Sequence, residues 1–167
     1  KAFFETYGVD AVTISPYMGR DSIEPFLSFK DKYAVLLTLT SNEGSRDFQY
    51  IEQKGVPVYE KVLRLSTKFE NAHKLMYVVG ATKSENLKSI RNIVPDSFLL
   101  IPGVGAQGGN LKEVVLNGIN SNCGLIVNSS RGIIYASRGN DFVEKAAEKA
   151  FELQNEMSEY LKLFKII

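Results

Sequence analysis

Five short apolar segments, each followed by a turn, constrain the fold of this chain more than any other feature. They are Ala11–Ile14, Ala34–Thr40, Leu75–Val79, Phe98–Ile101 and Gly124–Val127. Their apolar residues continue without the polar alternation of a half-exposed strand, which is typical of strands buried on both faces. Helical patterns separate the segments, and strands that alternate with helices pair in parallel. We therefore predict one parallel α/β sheet.

The helical patterns fill the gaps between the predicted strands. They cover Ser22–Phe29, Tyr59–Phe69, Ser84–Ile93, Leu111–Asn117 and a last helix from Asp141 to about Leu163. In the last helix, apolar residues recur near one face with a period of 3.6, namely Val143, Ala147, Ala150, Met157 and Leu161. Ser84 and Asp141 are candidate helix caps. Residues 45–58 form one long polar connection, which predicts a flexible insertion.

A glycine-rich segment, Ile101-Pro-Gly-Val-Gly-Ala-Gln-Gly-Gly109, directly follows the fourth predicted strand. A backbone without side chains can close on a ligand and turn its N–H groups toward an anion. The next strand ends in Asn128-Ser-Ser-Arg-Gly132, where Arg131 offers paired donors that match a phosphate. Many (β/α)8 barrels bind phosphate at the ends of their last two strands. The two segments therefore predict a phosphorylated ligand.

Composition and charge exclude several classes of function. The net charge of +1 gives no basis for binding nucleic acid or an anionic membrane. The chain has one cysteine, Cys123, and one histidine, His73, which excludes an internal disulfide and a Cys- or His-rich metal cluster. No apolar stretch approaches the roughly 18 residues of a membrane span, and the first residues do not resemble a signal peptide. The expected location is the cytoplasm.

The turns at the five strand ends, taken in order, resemble those of the orotidine 5′-phosphate decarboxylase family, and of its bacterial subgroup in particular. The matching motifs are T-x-x-P-Y-M-G at Thr13–Gly19, T-S-N-x-G-S at Thr40–Ser45, V-V-G-A-T at Val78–Thr82, I-P-G-x-G-A-Q-G-G at Ile101–Gly109 and N-S-S-R-G at Asn128–Gly132. Together they extend over essentially the whole chain. One residue departs from the pattern: Glu43 stands where the family usually has proline, which leaves the rigidity of that turn open.

The resemblance implies a (β/α)8 TIM barrel that works as a homodimer and decarboxylates orotidine 5′-monophosphate to UMP without a metal or organic cofactor. It further implies that residues 1–167 are the C-terminal part of a single barrel domain and supply its fourth to eighth strands. The first three strands and the family's catalytic D-x-K-x-x-D motif are then expected upstream of Lys1. None of the six aspartates in this chain has lysine two residues on. We therefore assign it no catalytic residue and expect the chain alone to be inactive.

By the same resemblance, this chain carries the substrate-binding residues. Arg131 and the backbone near Gly132 are expected to hold the phosphate, and Ser41 to bond the edge of the pyrimidine. The remaining candidates lie in the glycine-rich segment. Pro102 would line the ring pocket, and Gln107 would reach over the bound nucleotide. Gly103 and Gly108 are also expected to contact the substrate. Each candidate also has a purely structural interpretation. Arginine forms surface ion pairs, serine caps turns, and glycine and proline end strands.

Two other functions stay open from the residues themselves. A non-catalytic phosphate- or nucleotide-binding module would keep the glycine-rich segment and Arg131 but lack the upstream motif. Another phosphate-binding barrel enzyme, such as an epimerase or aldolase of sugar phosphates, would be expected to carry a strand-end carboxylate or a Schiff-base lysine. No predicted strand end carries either group. The residues that precede Lys1 in the parent gene would decide among the three.

Overall fold

A computed structural model describes residues 1–105 and 108–167 of the chain, and it contains one five-stranded parallel sheet. The strands are β1 (Ala11–Ile14), β2 (Tyr33–Leu39), β3 (Glu52–Gln53), β4 (Val56–Pro57), β5 (Leu75–Val79), β6 (Leu99–Pro102) and β7 (Leu125–Asn128). The large sheet has the order β1-β2-β5-β6-β7, while β3 and β4 form a small antiparallel hairpin. Each strand of the large sheet thus lies beside the next one in the chain, as in a barrel wall. The predicted parallel sheet is confirmed, with shifts of at most one residue.

Helices lie between the strands of the large sheet and after its last strand. They are α1 (Glu24–Leu27), α2 (Ser45–Phe48), α3 (Val58–Ser66), α4 (Ser84–Ile93), α5 (Leu111–Gly118), α6 (Arg131–Ile134) and α7 (Phe142–Leu163). The Asn110 side chain caps α5 by accepting from the Glu113 N–H at 3.3 Å. The predicted caps Ser84 and Asp141 make no such bond. The Ser84 hydroxyl instead donates to Glu113 across the α4–α5 contact. Among the described residues, no helix is long and apolar enough to cross a membrane.

The two faces of the large sheet differ in what covers them. On the outer face, fully buried side chains such as Leu36, Tyr77 and Leu99 form one core with the helices. On the inner face, Leu37, Val78, Leu100 and Ile126 lie side by side across four strands. Ile126 is 40% exposed, and β1 alternates between exposed and half-buried residues. The prediction that every strand is buried on both faces is therefore wrong for the two outermost strands, since each has only one neighbouring strand in the described chain.

Helix α7 packs only in part through the residues that the sequence predicts. Of these, Met157 lies against the core together with Leu153 and Tyr160, and Leu161 is half-buried, whereas Val143 is 59% exposed. The predicted residues Ala147 and Ala150 are exposed as well. The apolar residues of α7 thus exceed what β7 and α6 can cover, and a periodicity argument averages the covered and uncovered residues into one stripe.

The connection predicted to be a flexible insertion has regular structure. It contains α2 and the β3–β4 hairpin. The ring of Tyr50 packs edge-on against Tyr59 of α3, with centroids 5.7 Å apart. Main-chain hydrogen bonds from Val58 to Ile51 and from Tyr59 to Gln49 close the segment. Polarity predicted exposure here, but it could not reveal these pairings between residues distant in sequence.

Candidate active-site rim

The carboxyl ends of the five parallel strands lie at one edge of the sheet, and the turns after β2, β5, β6 and β7 contact one another in that order. Gly80, after β5, packs against Ser41, after β2, so closely that a Cβ at residue 80 would lie 2.7 Å from the Ser41 nitrogen. Gly109 lies in the same way against Ala81. The Gly103 N–H donates to the Asn128 carbonyl at 3.3 Å, which joins the β6 and β7 ends. We call this series of turns the rim.

The glycine-rich segment after β6 folds back on itself. Gly103, Gly105 and Gly108 adopt positive φ values of 94°, 79° and 83°, a region that side chains disfavour. The Gly109 N–H donates to the Gly103 carbonyl at 3.2 Å, and the Gly105 N–H donates to the Gly109 carbonyl at 3.0 Å. The sequence predicts that this backbone turns its N–H groups toward an anion, but those of Gly103, Gly105, Gly108 and Gly109 bond to carbonyls of the protein, because the segment closes on itself and on the β7 end. Gln107 and its neighbour Ala106 lie outside the described residues.

The turn after β7 brings Arg131 and Gly132 to the other side of the glycine-rich segment. Arg131 begins α6 and is exposed, while Gly132 is half-buried. A cleft of about 360 Å³ lies between the two turns, lined by Gly105, Gly109, Ser129 and Gly132 among others. Its far wall comes from α7, where Lys149 is bonded to Glu152 at 2.6 Å. Arg131 does not line this cleft, so an anion bound by Arg131 would lie at the rim rather than against the carboxylates of α7.

Pro102 lies at the junction of the rim and the inner face. It ends β6 opposite Asn128 of β7 and is half-buried. Because side chains alternate along a strand, Pro102 faces the same side as Leu100, which belongs to the row of aliphatic side chains on the inner face. The inner face below the rim is therefore an apolar floor that suits a flat ring.

The turn after β2 is held by a residue that sequence reasoning missed. The Gln49 side-chain carbonyl accepts from the Thr40 N–H at 2.8 Å, and its amide donates to the Thr40 hydroxyl at 2.8 Å. The next residue, Ser41, has a buried hydroxyl that finds no hydrogen-bond partner within residues 1–105 and 108–167. The same is true of Ser45. These contacts and the α2 turn hold the segment although Glu43 replaces proline. The only sequence signal for Gln49 was its place in a polar connection nine residues after Thr40.

Positive charge lies close to the rim. Lys83, two residues after Ala81, lies with its ammonium 5.3 Å from the centroid of the Tyr50 ring. Behind that pair, Tyr59 accepts a bond from Asn86, and burial raises the pKa of the Tyr59 hydroxyl. Within the described part of the chain, no group of three or more His, Cys, Asp or Glu side chains is placed to hold a metal ion. The chemistry available at the rim is thus hydroxyls and cations over an apolar floor, because the described glycine N–H groups already bond to carbonyls of the protein.

A parallel α/β sheet with a glycine loop and an arginine-bearing turn at adjacent carboxyl ends is typical of phosphate-binding proteins of the barrel class. Comparison with family models gives the particular family. The model described as "Orotidine 5'-phosphate decarboxylase / HUMPS family" matches residues 1–149. The chain belongs to this family. The fold class expected from the resemblance, a (β/α)8 barrel of which the chain supplies part, is confirmed by solved structures of this family.

Relatives in sequence and in structure agree with this assignment. The chain is 56% identical over 161 residues to an orotidine 5′-phosphate decarboxylase of Flavobacterium johnsoniae, an alignment that covers 96% of this chain and 59% of the relative. The structure of Leishmania donovani OMP decarboxylase superposes with a TM-score of 0.77 at 32% identity, covering 92% of this chain and 60% of the other. The structure of Leishmania donovani UMP synthase superposes with a TM-score of 0.79 at 35% identity, covering 92% of this chain and 34% of the other. The chain therefore spans about three fifths of the length of the curated relatives that it matches.

Proposed function

We propose that the full-length protein converts orotidine 5′-monophosphate to UMP and that residues 1–167 provide its phosphate- and pyrimidine-binding turns. The observation that carries this proposal is the junction of two neighbouring turns, where Gly103 bonds to Asn128 three residues before Arg131. In this proposal, the turn after β7 brings the Arg131 guanidinium and the N–H groups near Gly132 to a single anion beside that junction. Because the chain is part of one barrel in this proposal, strands before Lys1 complete the wall and cover the exposed inner side chains.

The proposed roles of the site residues follow from their chemistry. Arg131, with the N–H groups near Gly132, binds the phosphate through charge-assisted bonds. Gly103 and Gly108 let the backbone approach the nucleotide, and Gln107 reaches over it. Pro102 lines the ring pocket, and the unpartnered hydroxyl of Ser41 bonds the pyrimidine edge.

Binding energy from these residues contributes to the rate although none of them touches the breaking bond. Phosphate and ribose contacts lower the barrier when they order the turns around the ring. The family resemblance implies that an aspartate upstream of Lys1 lies close to the substrate carboxylate and repels it. An upstream lysine then protonates the carbon from which CO2 leaves. We propose that the enzyme needs neither metal nor organic cofactor, works as a homodimer and acts in the cytoplasm.

The test is an assay of the full-length protein with orotidine 5′-monophosphate in the presence of EDTA. We expect loss of the orotate absorbance and formation of UMP, while the purified 167-residue chain has no activity. Binding of UMP without turnover would instead favour a nucleotide-binding module. Activity that requires an added metal ion would point to a different class of barrel enzyme.

A further inference from the structure

The Gln49 side chain acts as a two-point clamp on Thr40, the last residue before Ser41. Its oxygen accepts from the main chain and its nitrogen donates to the hydroxyl, both at 2.8 Å and both partly buried. The Thr40 hydroxyl in turn donates to the Asn42 side chain, on the other side of Ser41. The backbone on either side of Ser41 is thereby fixed through a residue that lies outside the strand and its turn.

Ser41 itself has little freedom once its backbone is fixed. Its nitrogen and Oγ lie against Gly80, where any side chain would collide with them. The Gly80 N–H donates to the Leu39 carbonyl at 2.8 Å, so this wall is itself part of the sheet. A buried hydroxyl that forms no bond to the described protein gains most when a ligand supplies one, and its direction is set by the clamp behind it.

We propose that Gln49 is a positioning residue that orients Ser41 toward the base and so determines how well the nucleotide base is recognised. The inference rests on the proposed function, in which Ser41 bonds the pyrimidine edge. It assigns Gln49 no contact with substrate. Because Ser41 lies at the β2 end and Arg131 at the β7 end of the sheet, the clamp acts on the base and leaves phosphate binding alone.

The experiment compares two ligands of the full-length protein by calorimetry: UMP, which has the base, and ribose 5-phosphate, which lacks it. Gln49→Met keeps the length of the side chain and loses both bonds to Thr40. We expect it to weaken UMP binding about tenfold, the scale of a lost hydrogen bond to the base and some lost order. Its affinity for ribose 5-phosphate stays that of the wild type. Gln49→Glu keeps an oxygen for the Thr40 N–H and recovers part of the UMP affinity.

The matched control is Gln53→Met, which changes an exposed glutamine of the same connection and leaves both affinities unchanged. If Gln49→Met does not fold, Thr40→Val, which removes only the hydroxyl partner, replaces it and weakens UMP alone by a smaller factor. Unchanged UMP affinity in folded Gln49→Met, or equal weakening of both ligands, overturns the inference. A wild-type protein that binds neither ligand overturns the proposed function, and this inference with it.

Discussion

At the amino-terminal edge of the sheet, long cationic side chains bond to main-chain carbonyls, whereas at the carboxyl-terminal edge glycines bring backbones into contact. Arg91 of α4 donates to five carbonyls, those of Val94, Pro95, Ser97, Gly118 and Gly124. Lys74 donates to the carbonyls of Leu27 and Phe29, at 2.9 and 2.8 Å. At the opposite edge, Ser41 and Arg131 keep polar groups without partners in the described chain.

The comparison shows how one sheet separates stability from binding. Carbonyls at helix ends and before strands need donors when they are buried, and a guanidinium can satisfy several at once because it has five N–H groups. The carbonyls bonded to Arg91 and Lys74 therefore have their partners within the protein. The opposite edge keeps its shape through close backbone packing, while the Ser41 hydroxyl and the Arg131 guanidinium have no partner in the described chain. This is the division between the two ends of barrel strands that ligand-binding barrels use.

Loss of the Arg91 guanidinium should have the largest effect. Arg91→Met leaves several carbonyls unsatisfied, and we expect a loss of unfolding free energy on the order of 3 kcal/mol. Urea unfolding of the full-length protein measures it. The substrate affinity of the molecules that remain folded should be unchanged, because the edge that Arg91 bonds lies opposite the rim. Lys88→Met, on an exposed position of the same helix, serves as control. Equal stability of the two variants would contradict the role given to Arg91.

At the rim we expect the opposite result, a loss of activity with little change in stability. Arg131→Ala in the full-length enzyme should lower kcat/KM by about 30- to 150-fold, since a lost charged hydrogen bond costs roughly 2–3 kcal/mol. Its stability should be almost unaffected, because Arg131 is exposed. Arg138→Ala removes an exposed arginine seven residues further on and should leave the kinetics unchanged. If kcat/KM of Arg131→Ala stays near the wild-type value, Arg131 is not the phosphate ligand.

A methyl group at Gly80 tests whether the rim depends on close backbone packing. Gly80→Ala places a Cβ against Ser41, including its main-chain nitrogen at 2.7 Å, which cannot move aside as a side chain can. We expect a loss of about 1–3 kcal/mol in unfolding free energy together with weaker UMP binding. Gly44→Ala is the control, because its Cβ would meet nothing closer than 3.4 Å. If Gly80→Ala matched Gly44→Ala in unfolding free energy and in UMP affinity, the turns would be able to move apart at little cost.

The smallest effect is expected in the core, at Tyr77. Its hydroxyl shares a hydrogen bond of 2.9 Å with Ser66, and burial raises the pKa of Tyr77 above its ordinary value of 10.0. The folded state thus disfavours the phenolate. The stability from this group is fully present below pH 10 and is lost as the pH rises through the folded-state pKa.

Tyr77→Phe should cost about 1 kcal/mol at neutral pH, because the bond to Ser66 is lost. Above pH 10 its stability should fall less steeply than that of the wild type. Urea midpoints at neutral pH and above pH 10 provide both comparisons. Tyr135→Phe, at a tyrosine that is 68% exposed, should show neither difference. A wild-type slope in Tyr77→Phe would mean that another group governs the alkaline loss of stability.

The order of the elements and the location of the candidate residues could be predicted from the sequence. Continuous apolar runs between helical patterns allow few arrangements other than a parallel sheet. Ala11–Ile14, Leu75–Val79 and Ser84–Ile93 have the predicted bounds. The family resemblance came from short turns because glycine, proline and hydroxyl residues at strand ends are fixed by local backbone geometry. Because this geometry depends mainly on residues adjacent in sequence, it can be recognised from one sequence.

Only the tertiary structure decided which of these groups meet. The bonds from Arg91 to the Gly118 and Gly124 carbonyls and the packing of Gly80 on Ser41 join residues far apart in the chain. The clamp of Gln49 on Thr40 crosses from the turn after β2 to a residue nine positions on. The packed residues of α7 also matched its hydrophobic pattern only in part, because burial depends on what lies opposite. Periodicity and motif spacing determine local structure, whereas partners are chosen by how the elements pack, and that information is distributed over the whole sequence.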